Sequence, residues 1–293
     1  MSTTALEHAE AAPEEEAHLV VQRFSMWTRA THAVLAASVF GLVLTGMPLR
    51  YPDAFWAGPL LDGWALVGGA PGLHRIFAVG FFLAGAMHVA GVIGGFASGK
   101  LKVRELFGPD SILPKPEDLR NVRKNMRYLK DRGPQPKFGR FTYWEKMDYL
   151  AEIWGLLIIG LSGLVMWFPT AAASFMPGWV VNAALIFHAY EALLAMAFLF
   201  SIHFFNTHLR SEVFPVDPVI FSGNIPLEEV AHRYPGWYER LKARGAGFVP
   251  TRRDPSISSV VISTAYLVIG LVTLMFVMLD VLAEIWGYVN EYI

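Results

Sequence analysis

The sequence contains no cysteine. The chain therefore cannot form a disulfide, attach a c-type haem or hold an iron–sulfur cluster through thiolates. Any redox centre that it binds must use histidine or methionine ligands. The N-terminus also lacks the basic segment of a secretory signal peptide, because residues 1–17 hold five glutamates and neither lysine nor arginine. We expect residues 1–22 to form a disordered acidic tail.

Long apolar runs dominate the rest of the chain. Hydrophobic residues make up 54% of the 293 residues, and the mean hydropathy is +0.39. Five runs have the roughly 20 residues that a helix needs to cross a bilayer. They are Trp27–Pro48, Leu73–Ala97, Tyr149–Phe168, Val181–Thr207 and Ile257–Tyr288. This pattern predicts an all-α polytopic membrane protein with five spans.

The positive charges predict the orientation of these spans. The N-terminal segment and the loops at residues 99–148 and 209–256 hold 22 of the 24 Lys and Arg residues. The positive-inside rule places these segments in the cytoplasm and the C-terminus outside. The predicted organisation is a four-span core at residues 23–210 that includes the 99–148 loop, a second cytoplasmic loop at 211–256 and a fifth transmembrane helix at 257–293 of the inner membrane.

Histidines recur inside the apolar runs at two depths. His188 and His203 lie 15 residues apart on span four, a rise of about 22 Å on one helix, with both rings on roughly the same side. His74, at the outer start of span two, reaches the depth of His188. His203 has two candidate partners near the inner face, His32 on span one and His88 on span two, and the spacing does not choose between them.

Paired histidines at matching depths are typical of haem ligation. Neutral imidazole is a good iron ligand, and two axial ligands leave no open position for a substrate, so such a site transfers electrons. The sequence therefore predicts two b haems in a four-helix bundle. A transporter would also hold intramembrane His and Glu, but it should show inverted repeats and broken helices. A non-redox membrane anchor would keep these histidines without haem.

Several motifs carry a family resemblance. The chain resembles the cytochrome b (gamma) subunit of respiratory formate dehydrogenases and related hydrogenase b-type cytochromes over roughly residues 23–243. The similar stretches are RATHAVLAASVFGLVLTGMP, GLHRIFAVGFF, KFGRFTYWEKMDY, GLSGLVMWFP, FHAY to IHFF and RYPGWYERL. The resemblance implies a di-haem bundle that passes electrons between a partner on the outer face and a quinone.

Transferred to this chain, the family pattern gives the outer haem to His74 and His188 and the inner haem to His32 and His203. The span-four histidines lie 15 residues apart where that family has 14, so either His203 is rotated or a bulge intervenes. His88 has no counterpart in that family's pattern. The spacing of the histidines on spans two and four also resembles cytochrome b of the quinol:cytochrome c complexes, which would pair His88 with His203. A third haem is a further alternative. The family's quinone-site asparagine is Gly139 here.

Three arginines are candidates to bind haem propionates, because guanidinium matches carboxylate in a bidentate way. Arg75 follows His74 on the face that is otherwise poor in positive charge, whereas Arg29 and Arg210 belong to the inner face. The two inner arginines also fit the positive-inside pattern without any haem.

Polar residues near the ends of spans three and four are candidates for a quinone or proton site. Span three enters the membrane at Tyr143, Glu145, Lys146 and Asp148, although an interface also collects such residues as anchors. Glu191 is a carboxylate inside span four, three residues after His188. It could exchange a proton or hydrogen-bond a neighbouring helix.

The first long loop contains an amphipathic segment, PEDLRNVRKNMRYLKDRG. Pro116 suits a first helical turn, and apolar residues follow at helical spacing among basic ones. The pattern favours a helix on anionic lipid, with an ordinary solvated face as the alternative. Two further short helices are predicted at Pro226–Val230 and Trp237–Arg244.

These observations together predict an integral membrane subunit with two b haems, or three if His88 adds one, and a peripheral fifth span. It would be the quinone-reactive electron-transfer subunit of a multi-subunit oxidoreductase, working between menaquinone or ubiquinone and an outer redox partner. That partner would be an iron–sulfur subunit or a multihaem c-type cytochrome, and the stretch THLRSEVFP resembles subunits associated with the latter. We expect contact with membrane lipid and no nucleic-acid partner.

Overall fold

A computed structural model describes residues 19–63, 67–214, 216–244, 251–252 and 257–292. In chain order the elements are β1 (Leu19–Gln22), α1 (Met26–Arg50), α2 (Ala57–Asp62), α3 (Gly69–Ala97), α4 (Val103–Leu106), α5 (Pro116–Tyr128), α6 (Tyr143–Trp167), α7 (Pro169–Ala173), α8 (Trp179–Phe198), the π-helical segments Leu199–His203 and Phe205–Leu209, α9 (Val219–Ser222), β2 (Asn224–Pro226), α10 (Leu227–Arg233), α11 (Pro235–Ala243), β3 (Thr251–Arg252) and α12 (Ile257–Tyr292).

The chain divides into two compact units. The first, called the loop unit here, comprises residues 1–29, 91–151 and 218–260. The second, called the bundle unit, comprises residues 30–90, 152–217 and 261–293. Each is described separately below.

Among the described residues, four helices are long and apolar enough to cross a membrane: α1, α3, α6, and α8 together with its π-helical continuation to Leu209. The all-α membrane architecture is therefore confirmed. Helix α6 begins at Tyr143 rather than at the predicted Tyr149, because a capping box starts it earlier. The backbone N–H of Thr142 donates to Glu145 Oε2 over 2.8 Å, and the Glu145 N–H points back at the Thr142 hydroxyl.

The fifth predicted span corresponds to α12. Among the residues described, its apolar stretch runs from Val260 to Met275, which is shorter than the four spanning helices. A fifth crossing therefore stays a prediction. The helix packs against the bundle unit's other helices, because Leu267 is buried in one cluster with Val43, Met196 and Phe204. The absence of a side chain at Gly270 lets α12 approach the Phe204 ring closely.

A small sheet organises the loop unit. The antiparallel strand order is β2-β1-β3, with Val21 opposite Ile225 and Val20 opposite Thr251. The prediction of a disordered tail over residues 1–22 is wrong for residues 19–22, which form β1. Val20 and Val21 are each only 6% exposed, so burial of these side chains holds the strand in place. Residues 1–18 lie outside the described residues.

A buried charged cluster fastens β1 to the first turn of α6. Arg23 Nη2 lies 2.9 Å from Glu145 Oε1, and the Tyr234 hydroxyl donates to the same oxygen over 2.9 Å. Burial by itself lowers the pKa of Arg23, but the Glu145 carboxylate and Tyr234 outweigh it and the pKa is raised. The pair therefore stays ionised inside the loop unit.

The predicted loop helices are confirmed as helices. The first, α10, continues past the predicted Val230 to Arg233, and α11 begins two residues before the predicted Trp237 because Pro235 occupies its first turn. α5 begins at Pro116, as predicted.

Candidate functional site

Two of the histidines paired by the sequence lie side by side in the bundle unit. The ring centroids of His74 on α3 and His188 on α8 are 6.2 Å apart, with the ring planes at 73°. Two imidazoles that share one first-row metal ion, each at about 2.0 Å, have centroids roughly 6 Å apart. The separation therefore suits a single iron between the two rings.

Hydrogen bonds fix the tautomer of both rings. His74 Nδ1 lies 2.9 Å from Thr45 Oγ1, and the single hydroxyl proton of Thr45 goes to the Gly41 carbonyl over 2.7 Å. Thr45 must therefore accept, and His74 Nδ1 must carry the proton. His188 Nδ1 faces the Ile159 carbonyl at 3.0 Å, which can only accept. Both rings thus present the Nε2 lone pair, the arrangement in which histidine binds a metal.

Glycines make room beside each ring. A Cβ at Gly46 would lie 3.2 Å from His74 Cε1, and one at Gly163 would lie 3.1 Å from His188 Cε1. Both distances are tighter than ordinary van der Waals contact, so a larger residue at either position would push the ring. The two glycines therefore permit close packing around His74 and His188.

A second group of histidines lies at the other end of the bundle unit's helices. His32 on α1 is close enough to His203 and His208 to interact with both electrostatically. His32 and His203 are half-buried, whereas His88 is exposed. His203 and His32, one of its two candidate partners, therefore lie within electrostatic range of each other.

The 15-residue spacing on span four has a structural explanation. The helix changes from α to π geometry over Leu199–His203. A π turn accommodates one residue more than an α turn, so 15 residues here carry His203 to about the position that 14 would reach in a regular helix. Of the two alternatives, rotation or a bulge, the bulge is present.

One residue at this end was missed from the sequence. Glu152 on α6 is half-buried and interacts electrostatically with His203. An isolated carboxylate in an apolar run was the available signal, as it was for Glu191. His208, five residues after His203, is 7% exposed and packs on Phe204 with ring centroids 5.8 Å apart.

Three of the quinone or proton candidates take part in contacts within the loop unit. Lys146 Nζ lies 2.9 Å from both Asp118 carboxylate oxygens, and Tyr143 accepts a hydrogen bond from Asn125 over 3.1 Å. Glu145 belongs to the Arg23 cluster. These contacts stabilise the local fold. They favour the alternative that the three residues anchor the start of the helix over a role in a quinone or proton site.

The remaining candidates are distributed as follows. Asp148 and Glu191 are half-buried. Arg75 is exposed, and its guanidinium lies 5.8 Å from the Trp167 ring centroid. Arg29 donates to the Phe221 carbonyl, and Arg210 forms a 2.6 Å ion pair with Glu212.

The number of protein ligands distinguishes a haem site from a site for a metal ion without a porphyrin. Within the described ranges, no group of three or more His, Cys, Asp or Glu residues could hold a metal ion together. A haem iron needs only two protein ligands, because the porphyrin supplies the others. The histidine pair with its Nε2 lone pairs therefore fits haem.

Comparison with known proteins identifies the family. No curated protein matches the chain. Proteins of the prokaryotic cytochrome b561 family are membrane electron carriers that bind b-type haem. The chain matches the model of this family over residues 23–211, more than half of its length, and therefore belongs to the prokaryotic cytochrome b561 family as an integral membrane b-type cytochrome.

Proposed function

We propose that this cytochrome passes electrons between a quinone pool and a separate redox subunit through two b haems. The observation that supports this most directly is the His74–His188 pair, with ring centroids 6.2 Å apart. Both rings are oriented by hydrogen bonds at Nδ1 before any ligand binds. The pair is therefore preorganised for two-sided ligation, which suits electron transfer and not substrate binding.

In this proposal His74 and His188 hold the outer haem. A b haem supplies a one-electron carrier, and the protein's part is to fix its ligands. Thr45 and the Ile159 carbonyl keep the two Nδ1–H groups occupied and so direct both Nε2 atoms toward the iron. A haem held by both histidines would leave no open site for oxygen or a substrate.

His32 and His203 hold the inner haem in this proposal. Their half-buried positions and electrostatic proximity favour this pair over one with the exposed His88. The π-helical turn at Leu199–His203 supports it further, because it restores the family's phasing between His188 and His203. Two haems, and not three, then account for the ligating histidines.

The quinone is proposed to bind near the inner end of the bundle. Its candidate proton-exchanging group there is Glu152 on α6, a half-buried carboxylate that interacts electrostatically with His203. Glu191 on α8 lies three residues after His188 and is proposed to exchange a proton near the outer haem instead. Such a group inside a membrane helix is costly to bury and is typical of a functional site. Menaquinone and ubiquinone both fit this chemistry.

The outer partner is proposed to be an iron–sulfur subunit or a multihaem c-type cytochrome. With zero cysteines, this chain can carry neither kind of centre itself. The proposed complex resembles a respiratory formate dehydrogenase or hydrogenase, with the N-terminus in the cytoplasm, five spans and the C-terminus outside. The charge asymmetry of the loops supports that orientation.

The experiment is a count of haem in the purified protein and in single-histidine variants. We expect a reduced-minus-oxidised spectrum of b type and two haems per chain by the pyridine haemochrome method. His74→Ala and His188→Ala should each lose the same haem, and His32→Ala and His203→Ala the other.

His88→Ala is the matched control and should keep both haems. A colourless protein would instead support a non-redox anchor or transporter subunit. Loss of a haem in His88→Ala, with retention in His32→Ala, would assign His88 to the inner site. Electron transfer from an added quinol to the reducible haem tests the quinone half of the proposal separately.

A further inference from the structure

Helix α5 of the loop unit carries its apolar side chains on the outside. Leu119 is 62% exposed, Met126 48% and Leu129, which directly follows the helix, 66%. Together with the half-buried Val122, these residues recur at helical spacing and form one stripe. We call this stripe the apolar face of α5.

The polar side of the same helix is the one that is buried. Asp118 is 8% exposed and binds Lys146 on α6 through both carboxylate oxygens at 2.9 Å. One helical turn before its end, Asn125 donates to the Tyr143 hydroxyl over 3.1 Å. A helix on a soluble protein has the opposite arrangement, with its apolar stripe toward the core.

These contacts also fix where the helix sits. Lys146 and Tyr143 both belong to the first turn of α6, a helix long and apolar enough to cross a membrane. α5 is therefore held beside the point at which that helix starts. Met147 and Leu150, in the next turn of α6, are 50% and 45% exposed and continue the apolar surface of the loop unit.

Positive charge accompanies the apolar face. Arg120, Arg123, Lys124 and Arg127 are all exposed, and Lys130 and Arg132 follow within five residues of the helix end. A helix that combines an apolar stripe with Lys and Arg is typical of one lying in the lipid headgroup region, and anionic lipid attracts such charges.

We propose that α5 lies flat on the membrane surface, with its apolar face inserted between lipids and with Arg123 and Arg127 on anionic headgroups. This inference does not depend on the number of haems or on the quinone. The occupant of the apolar face is lipid, because the helix is anchored to the start of a spanning helix and its charge complements an anionic surface.

The absence of cysteine makes the test direct, because a single introduced thiol can be labelled in the full-length protein. Met126→Cys places a nitroxide spin label on the apolar face. Lys124→Cys is the matched control on the same helix. Lys124 lines a polar cavity of about 310 Å³ together with Lys146 and Arg240, and so lies away from the apolar face. Retention of haem checks that each variant is folded.

Each labelled protein is placed in phosphatidylcholine vesicles with and without phosphatidylglycerol. Collision of the label with oxygen, which concentrates in lipid, is compared with collision with a water-soluble nickel chelate. We expect a several-fold higher oxygen-to-nickel ratio at Met126→Cys than at Lys124→Cys, and a further rise at Met126→Cys with phosphatidylglycerol.

Equal ratios at the two positions would show a solvated face and overturn the proposal. Protection of Met126→Cys from both probes would show that protein covers the face, and would overturn it equally. If the oxygen-to-nickel ratio at Met126→Cys does not change with phosphatidylglycerol, the proposed binding of the arginines to anionic headgroups is refuted.

Discussion

Replacing Thr45 by valine isolates the contribution of one hydrogen bond to the outer haem. Valine keeps the shape of threonine, but it cannot accept the Nδ1–H of His74, which now lies 2.9 Å from the Thr45 hydroxyl oxygen. Thr45 is 1% exposed, so water cannot easily take its place. The imidazole should lose this orienting partner, keep only its hydrogen bond to the Leu42 backbone and become a weaker electron donor to an iron that it ligates.

The size of the effect follows from the energy of a buried hydrogen bond. Such a bond contributes about 1 kcal/mol net. Because about 1.4 kcal/mol corresponds to about 59 mV for a one-electron couple, full transfer of this energy into redox equilibrium would raise the midpoint potential by roughly 40 mV. That value is an upper bound, because the wild-type hydrogen bond forms in both oxidation states and only the difference in its energy between them shifts the potential.

The assay is a spectroscopic redox titration of the haem that is proposed to bind at His74 and His188. Thr45→Ser should restore the wild-type potential, because serine returns the acceptor. Ser38→Ala is the control, since Ser38 is a second buried hydroxyl of α1 whose hydrogen bond goes to the Val34 carbonyl over 2.7 Å. An unchanged outer potential in Thr45→Val, or an equal shift in Ser38→Ala, would refute the tautomer assignment.

Two further predictions concern stability. Gly270→Ala should destabilise the protein by about 1–3 kcal/mol, because the new Cβ meets the Phe204 ring, whereas Gly94→Ala, which meets no neighbouring atom within 4 Å, should be nearly neutral. Thermal unfolding in detergent measures both, and equal shifts would contradict the packing of α12 on Phe204. Lys146→Met should cost about 3–5 kcal/mol by leaving the Asp118 carboxylate buried without its counter-ion, and adding Asp118→Asn, which keeps an oxygen for the Lys115 N–H, should recover most of that loss. If the double variant is as unstable as the single one in the same assay, the ion pair is not the cause.

The four spanning helices and the outer histidine pair could be predicted from the sequence for a simple reason. Length and apolar content decide which segments cross a bilayer, and helical rise converts residue number into depth. His74 and His188 followed from matching depths alone. The same argument left His32 and His88 open, because depth does not say which side of a helix faces the bundle.

Tertiary contacts account for what was missed. β1 is four residues long, and its order depends on pairing with residues 224–226 and 251–252, far away in sequence. Lys146 looked available for proton transfer because its partner, Asp118, lies 28 residues earlier. The hydroxyl of Thr45 gave no signal, since threonine in a membrane helix commonly bonds only to its own backbone.

The π-helical turn before His203 also affects how relatives of this protein should be recognised. The π turn holds one additional residue by widening the helix locally, so an inserted residue need not change the direction in which His203 points. The number of residues between His188 and His203 is then a poor measure of how the two side chains are placed. A search that demands a fixed interval between them would discard proteins whose binding sites are the same.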